Sequence, residues 1–245
     1  MSLHIFPVCF KQDVTPESNI VDMLLSSNQC GLEDDDILII SQKIISKQEG
    51  RVINLDIIIP SELSVGLASA YEKDPKLIEV VLSESKRIVR MEHGVIIVKT
   101  KHGFTCANAG IDQSNVDGNF VTLLPIDPDN SAKLIHEEIK KKTGKKIAVI
   151  ISDTFGRPFR LGQTDNAIGV AGIESILNYE GKPDTFGKIM RVTAIAIVDE
   201  LCAAAELVMG KTEKSPAAII KNYSFKSKND SISSIIRDED EDLFR

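Results

Sequence analysis

The stretch IAVIISDTFGRPFRLGQTDNAIGVAGI, residues 147–173, opens on the apolar run Ile147, Ala148, Val149, Ile150 and Ile151 and then turns abruptly polar at Ser152-Asp153-Thr154. A short run this rich in β-branched residues reads as a strand buried on both faces. The rest of the stretch carries Gly156, Arg157, Pro158, Arg160, Gly162, Gln163, Thr164, Asp165, Asn166, Gly169 and Gly172, too much glycine and polarity for ordinary core. Polar groups just past the carboxyl end of a buried strand are where open α/β sheets place their ligand sites. A carboxylate, a hydroxyl and two guanidinium groups suit a metal ion and anionic oxygens. The plain alternative is a long surface loop held down by an Arg–Asp pair.

Working outward, two further strands have the same character. Ile37, Leu38, Ile39 and Ile40 run directly into Ser41-Gln42-Lys43-Ile44-Ile45-Ser46-Lys47, whose lysines are either solvated or placed to neutralise phosphate. Residues 95–98 form a strand that leads into a hairpin-like passage over 101–115, with small residues at Ala107, Ala109 and Gly110 and oxygens at Asp112 and Asn115. An Asx-turn explains either of the last two taken singly. His102 reads as a packed or hydrogen-bonded loop histidine.

The remaining chain reads as scaffold. A short strand over 3–6 ends at Pro7, and a helix comes after Thr15-Pro16-Glu17 with Ile20, Met23 and Leu24 on one face. The acid run 33–36 reads as a solvated turn. Helices are expected over 61–71, 74–90 and 130–143, the last closed by Gly144 with lysines in its final turn. A strand over 189–198 precedes an Ala-rich helix that starts at Asp199-Glu200, acids that complement its dipole, and ends at Met209-Gly210. Gly210-Lys211-Thr212 is not a phosphate loop: Ala205 stands where the earlier glycine is required, and the segment comes after a helix. Residues 224–245 are charged and read as a mobile tail with one short helix through Ile232, Ile235 and Ile236. No repeat or linker divides the chain, so residues 1–223 are expected to form a single catalytic unit of two interleaved lobes.

Composition narrows the partners. The chain has 245 residues and a net charge of −7, with no basic stripe to meet a nucleic-acid backbone. No apolar run approaches the ~20 residues of a membrane span, and the first residues do not resemble a signal peptide. Cys9, Cys30, Cys106 and Cys202 are scattered and read as reduced thiols. A soluble cytoplasmic protein is expected.

Three apolar strands therefore each deliver polar groups at one end. Two carboxylates and a threonine hydroxyl suit a divalent cation, magnesium or manganese, when phosphates complete its shell. Lysine and arginine nearby, Arg157 among them, would neutralise charge on a moving phosphoryl group. Asp112, Asp153 and Arg157 are the catalytic candidates of such a phosphoryl-transfer site.

At these residues the sequence resembles the coenzyme F420-0:γ-glutamyl ligase family. The matching motifs run from Ser41 through Arg51; from His102-Gly103-Phe104 through Ala107-Asn108-Ala109-Gly110-Ile111-Asp112 to Ser114-Asn115; and from Ile151 through Asp153-Thr154-Phe155-Gly156-Arg157-Pro158 and Gly162-Gln163-Thr164-Asp165 to Ile173. Asp199-Glu200-Leu201 leading to Glu206-Leu207-Val208-Met209-Gly210 adds a fourth. The resemblance implies an α+β (mixed α/β), two-lobed ligase fold in an intertwined homodimer. It implies a GTP-dependent enzyme that joins L-glutamate to the lactyl carboxylate of coenzyme F420-0 through an acyl phosphate. Divalent cations, and a monovalent cation such as K+, accompany that activity. Carried over, Asp112 and Asp153 resemble ligands of one metal and Thr154 a ligand of a second. Ser41, Gln42, Lys47, Asn115 and the segment Met209, Gly210, Lys211 and Thr212 resemble nucleotide contacts. Lys211 departs from the pattern, which commonly has an acid or amide there. A metal-dependent phosphohydrolase and a nucleotide-sensing binding module are the rival classes.

Overall fold

The computed structural model describes residues 2–27, 30–114 and 118–242, a mixed α/β chain whose strands and helices are numbered along the sequence. Its main sheet has five strands, β1 (His4–Val8), β2 (Ile37–Ser41), β8 (Ala148–Arg157), β9 (Arg160–Ala171) and β12 (Ala217–Lys221), in the order β1-β12-β2-β8-β9. The pair β2–β8 is parallel and the other three are antiparallel. Ile37, Ile39, Ile40, Ala148, Val149, Ile150 and Ile151 are completely buried, as their uninterrupted apolarity requires. Pro7 does not end β1: it sits on the sheet's outermost strand, where a missing N–H costs no ladder bond.

Between β2 and β8 the chain leaves this sheet. Helix α2 (Gln42–Gln48) follows β2 at once, and β3 (Val52–Asn54) pairs with β7 (Phe120–Thr122). Helices α3 (Glu62–Tyr71) and α4 (Pro75–Ser83) carry side-chain caps from Ser61 and Asp74. A meander of β4 (Ser85–Glu92), β5 (Val95–Thr100) and β6 (Thr105–Ala107) comes next. The helix expected over 74–90 therefore stops at Ser83. Ile88 and Val89 belong to a strand that turns through His93 and Gly94, both at positive φ, as a tight hairpin demands. Ala68, Ile78, Val81, Ile96, Val98 and Ala109 form a second small core, separate from that of the main sheet.

Helix α1 (Ile20–Ser27) lies against α2 and α5 (Pro128–Thr143), and α6 (Ile197–Met209) packs on β1, β9 and β12. The strand expected over 189–198 is reduced to β11 (Ala194–Ile195), paired with β10 (Leu177–Asn178), because the chain turns helical at Ile197. Within the acid run, Asp36 is buried and paired with Lys221 at 2.8 Å, so this turn is not wholly solvated. Among the described residues no helix is long and apolar enough to cross a membrane.

One expectation fails in an informative way. The central strand does not end at Ser152. The β2–β8 register closes on Ser41 opposite Ser152. Beyond it β8 and β9 continue as a two-stranded ribbon to the turn at Pro158 and Phe159. The polar residues that read as a loop are thus alternating strand residues, half of them on each side of the ribbon.

Close packing of β9 on α5 requires Gly169. A Cβ there would lie 2.4 Å from the carbonyl carbon and oxygen of Pro128. Gly169→Ala is expected to cost about 1–3 kcal/mol through overpacking, read from the urea midpoint. A loss below about 0.5 kcal/mol, the scatter of an inert substitution, would mean that the helix yields freely.

Candidate active site

Where the ribbon leaves the sheet, two other parts of the chain meet it. The parallel register that sets Ser41 beside Ser152 brings the first turn of α2 next to Asp153. From the inserted region comes a turn of three successive left-handed residues, Asn108 (φ 51°), Ala109 (φ 56°) and Gly110 (φ 70°). Gly110 lies so close to Leu124 that a Cβ would meet its side chain at 2.8 Å. Asp112 is then fixed by a two-way backbone bridge to Thr122, at 3.0 and 2.8 Å.

Lys43, on the first turn of α2, reaches across to Asp112. Its Nζ lies 2.6 Å from Asp112 Oδ2 and donates to Ser114 Oγ at 2.7 Å. Ser114 donates through its N–H and hydroxyl to the same carboxylate, at 2.7 and 2.9 Å. Burial alone would raise the Asp112 pKa, but these donors hold it below the ordinary carboxylate range. Asp153 has the opposite balance. Burial, and then the carboxylates of Asp165 and Asp112, push it up to about 7, against the Thr154 backbone N–H and the more distant Lys43. The Cys106 thiol of β6, buried and exposed to the Asp153 charge, is pushed up to about 12. The site is therefore a poorly solvated space in which negative charge exceeds positive.

A second cluster occupies the other side of the ribbon. Thr154 pairs with Asp165 in the register, and neighbouring strand residues point oppositely, so Asp153 and Thr154 serve different sides. Thr154 Oγ1 donates to Asp165 Oδ1 at 2.6 Å, and Ser152 Oγ donates to Oδ2 at 3.3 Å. Lys211 closes the cluster, with Nζ 2.8 Å from Thr154 Oγ1, 3.2 Å from Asp165 Oδ1 and 3.4 Å from Glu206 Oε1.

The sequence candidates fare unevenly. Asp112 and Asp153 come together, and Thr154 sits behind them. Ser41 is at the strand–helix junction, its N–H donating to Pro216 O at 2.8 Å. Gln42 is buried and its Oε1 accepts from Ser46 Oγ at 2.9 Å, so that amide oxygen is engaged inside the protein. Lys47 is half-buried in the last turn of α2. Met209 belongs to the core, Gly210 terminates α6 at φ 59°, and Thr212 bonds the Glu213 carboxylate. Asn115 lies outside the described residues. Arg157 is at the far end of the ribbon, roughly 13 Å along the strand from Asp153, and donates to Leu161 O at 2.6 Å. His102 is a hydrogen-bonded loop histidine, its Nε2 2.8 Å from Pro125 O. Lys43 was read from the sequence only as one of two lysines either solvated or placed to neutralise phosphate, and Asp165 and Glu206 were given no role of their own. Reading the polar stretch with period two would have set Asp165 opposite Thr154.

Asp112 and Asp153 offer hard oxygen donors, and a cation beside Asp153 would relieve its raised proton affinity. Among the described residues no three His, Cys, Asp or Glu side chains form a ready cage. The donor set fits an ion held by one or two carboxylates whose shell is completed by phosphate and water, and does not fit a closed structural site.

The Asp153 shift has a defined sign. With a folded pKa near 7 against roughly 3.9 unfolded, the folded state binds more protons between these values. The contribution is stabilising at low pH and is lost as pH rises through about 7. Without metal, Asp153→Asn should therefore be more stable than the native protein at pH 8, with the difference less than half as large at pH 5 and gone only below about pH 4, in urea titrations with EDTA. An equal difference at both pH values would contradict the assigned environment.

Comparison with known proteins identifies the family. The family model described as F420-0:Gamma-glutamyl ligase matches residues 11–222. The chain is 45% identical over 217 residues to the coenzyme F420:L-glutamate ligase of Methanothermobacter thermautotrophicus, covering 87% of this chain and 86% of that one. It is 45% identical over 218 residues to the ligase of the same name from Methanocaldococcus jannaschii, covering 89% and 87%. With the Methanopyrus kandleri ligase it shares 39% over 219 residues, covering 89% and 86%. The residues that build both sides of the ribbon fall within the matched span, and the chain belongs to the F420-0:γ-glutamyl ligase family.

Proposed function

We propose that this protein joins L-glutamate to coenzyme F420-0 in a GTP-dependent reaction through an acyl phosphate. The observation that carries the reading is the convergence of Asp112, Asp153 and Lys43 at the root of the ribbon, inside the span shared with the family. A carboxylate is a poor acylating agent, so amide formation needs it activated. The lactyl carboxylate oxygen bonds to the γ-phosphorus as the bond to GDP breaks. The glutamate amine, having lost its extra proton, then bonds to the acyl carbon and inorganic phosphate leaves. The amide nitrogen sheds a second proton, and more than one cycle adds further glutamates.

In this reading Asp112 and Asp153 hold a divalent cation, magnesium or manganese, with Thr154 on the neighbouring side of the ribbon. The ion, when bound, neutralises charge on the phosphate oxygens. Lys43 carries positive charge to the same place and keeps Asp112 ionised and aimed. Ser41, Lys47 and the 209–212 segment would contact the nucleotide in this reading. The homodimer belongs to the same proposal. Phe159 and Leu161 at the ribbon tip, with Phe186 and Val192 on the loop between β10 and β11, are almost wholly exposed, an apolar surface suited to a second copy.

Incubation with GTP, magnesium, L-glutamate and coenzyme F420-0, followed by mass spectrometry, tests the reading. A ligase yields product heavier by one or more glutamyl units. Release of GDP and phosphate without that gain would indicate a phosphohydrolase, and no turnover a binding module. Asp153→Asn is expected to lower glutamyl transfer by roughly 100-fold or more; near-native transfer would remove Asp153 from the chemistry.

A further inference from the structure

Beyond Lys221 the chain runs past the matched span, which ends at 222, and crosses the protein as a strap. It is fastened on both sides of Arg237. Before it, Ile232 is buried and its N–H, with the Ser231 hydroxyl, donates to the Asp129 carboxylate. After it, Glu239 Oε1 lies 2.7 Å from Lys99 Nζ and 3.4 Å from Arg87 Nη2. Between strap and ribbon is a cavity of about 250 Å³, walled by Phe104, Phe155, Asn166, Asp199, Ile236 and Arg237.

The walls differ in chemistry. Arg237 brings a guanidinium that has no side-chain partner among the described residues. Across from it, Asn166 donates through its amide nitrogen to Thr164 O at 2.8 Å, which leaves Oδ1 as an acceptor. Asp199 accepts from Ala167 N through Oδ1 at 2.9 Å and retains its second oxygen. Phe104 and Phe155, with ring centroids 6.2 Å apart, supply apolar surface between these ends. Lys99, already paired with Glu239, and the carboxylate of Asp242 also line the cavity. With the Arg237 guanidinium on the strap, acceptors on Asn166 and Asp199 and apolar rings beside them, the cavity is complementary to an amino acid with a side-chain carboxylate. Its volume, below the roughly 300–1,000 Å³ of sites for drug-sized ligands, suits a ligand the size of an amino acid. Asn166 pairs with Asp153 across the ribbon, so an amine held there adjoins the carboxylate pair.

We infer that this cavity seats the acceptor amino acid, an α-amino dicarboxylate, with a carboxylate on Arg237 and its amine at Asn166 and Asp199. The inference rests on the ligase reading above and adds to it a substrate site built partly from the C-terminal strap.

Steady-state kinetics of the full-length native protein, Arg237→Ala and Arg237→Lys test it, with each of glutamate, GTP and coenzyme F420-0 varied in turn. Saturation-transfer NMR with L-glutamate alone reports binding directly. Arg237 is exposed, so both variants should fold. Removing a charged hydrogen-bond partner should raise the KM for glutamate roughly tenfold or more. The KM values for GTP and coenzyme F420-0 should stay within about twofold, the glutamate NMR signal should fall, and lysine should restore part of both. An unchanged glutamate KM, or a shift in the GTP value instead, overturns the assignment. A native protein that transfers no glutamate defeats the ligase reading and this inference with it. That failure is distinguishable because it precedes any substitution.

Discussion

Two half-buried carboxylates, Asp112 and Asp153, stand at the root of a β-ribbon, and the one ammonium beside them is bonded to Asp112. Lys43 satisfies Asp112, while burial and the nearby charges of Asp165 and Asp112 push the Asp153 pKa up to about 7. Such an excess of buried negative charge costs stability unless a cation offsets it. Much of the surrounding architecture serves to maintain it. The parallel β2–β8 register fixes where α2 begins, three left-handed residues aim the chain toward Asp112, and the Thr122 bridge holds it there.

The ribbon carries two chemistries because its alternation separates neighbours. Asp153 looks toward Asp112, Lys43 and Cys106, whereas Thr154 looks toward Asp165, Lys211 and Glu206. On the second side the positive charge is supplied by the protein's own lysine. The first side is left short of it. The strap adds a third wall, built from residues past the family match, and places an uncommitted guanidinium over the same ribbon.

Much of this was legible in the sequence where periodicity was unambiguous. The buried runs at 37–40 and 147–151 became β2 and β8, and α4 begins at the Asp74 cap that the sequence displays, whereas α5 starts at Pro128 on an Asp127 cap, two residues before the expected Asn130. The ribbon was missed because glycine and polar residues obscure a period of two once no apolar face is needed. The 74–90 helix was overextended because Ile88 and Val89 fit helical spacing as well as strand. Only the partner strand β5 decides between them. Asp112 and Asp153 were found through local motif and resemblance. The Lys43–Asp112 pair joins segments distant in sequence, which no local pattern displays, whereas Asp165 lies on the adjoining strand and only the period of two would have placed it opposite Thr154. Arg157 was grouped with the site on sequence proximity, but a fully extended strand carries it away.

The central claim is that Asp112 and Asp153 act on one cation. A double-mutant cycle on Mn2+ affinity in the presence of GTP, followed by electron paramagnetic resonance, tests this directly. With a shared ion, Asp112→Asn and Asp153→Asn should each weaken binding, and the double variant should be little worse than either alone. Losses that simply add, or an Asp112→Asn variant that binds Mn2+ as the native protein does, would contradict the account.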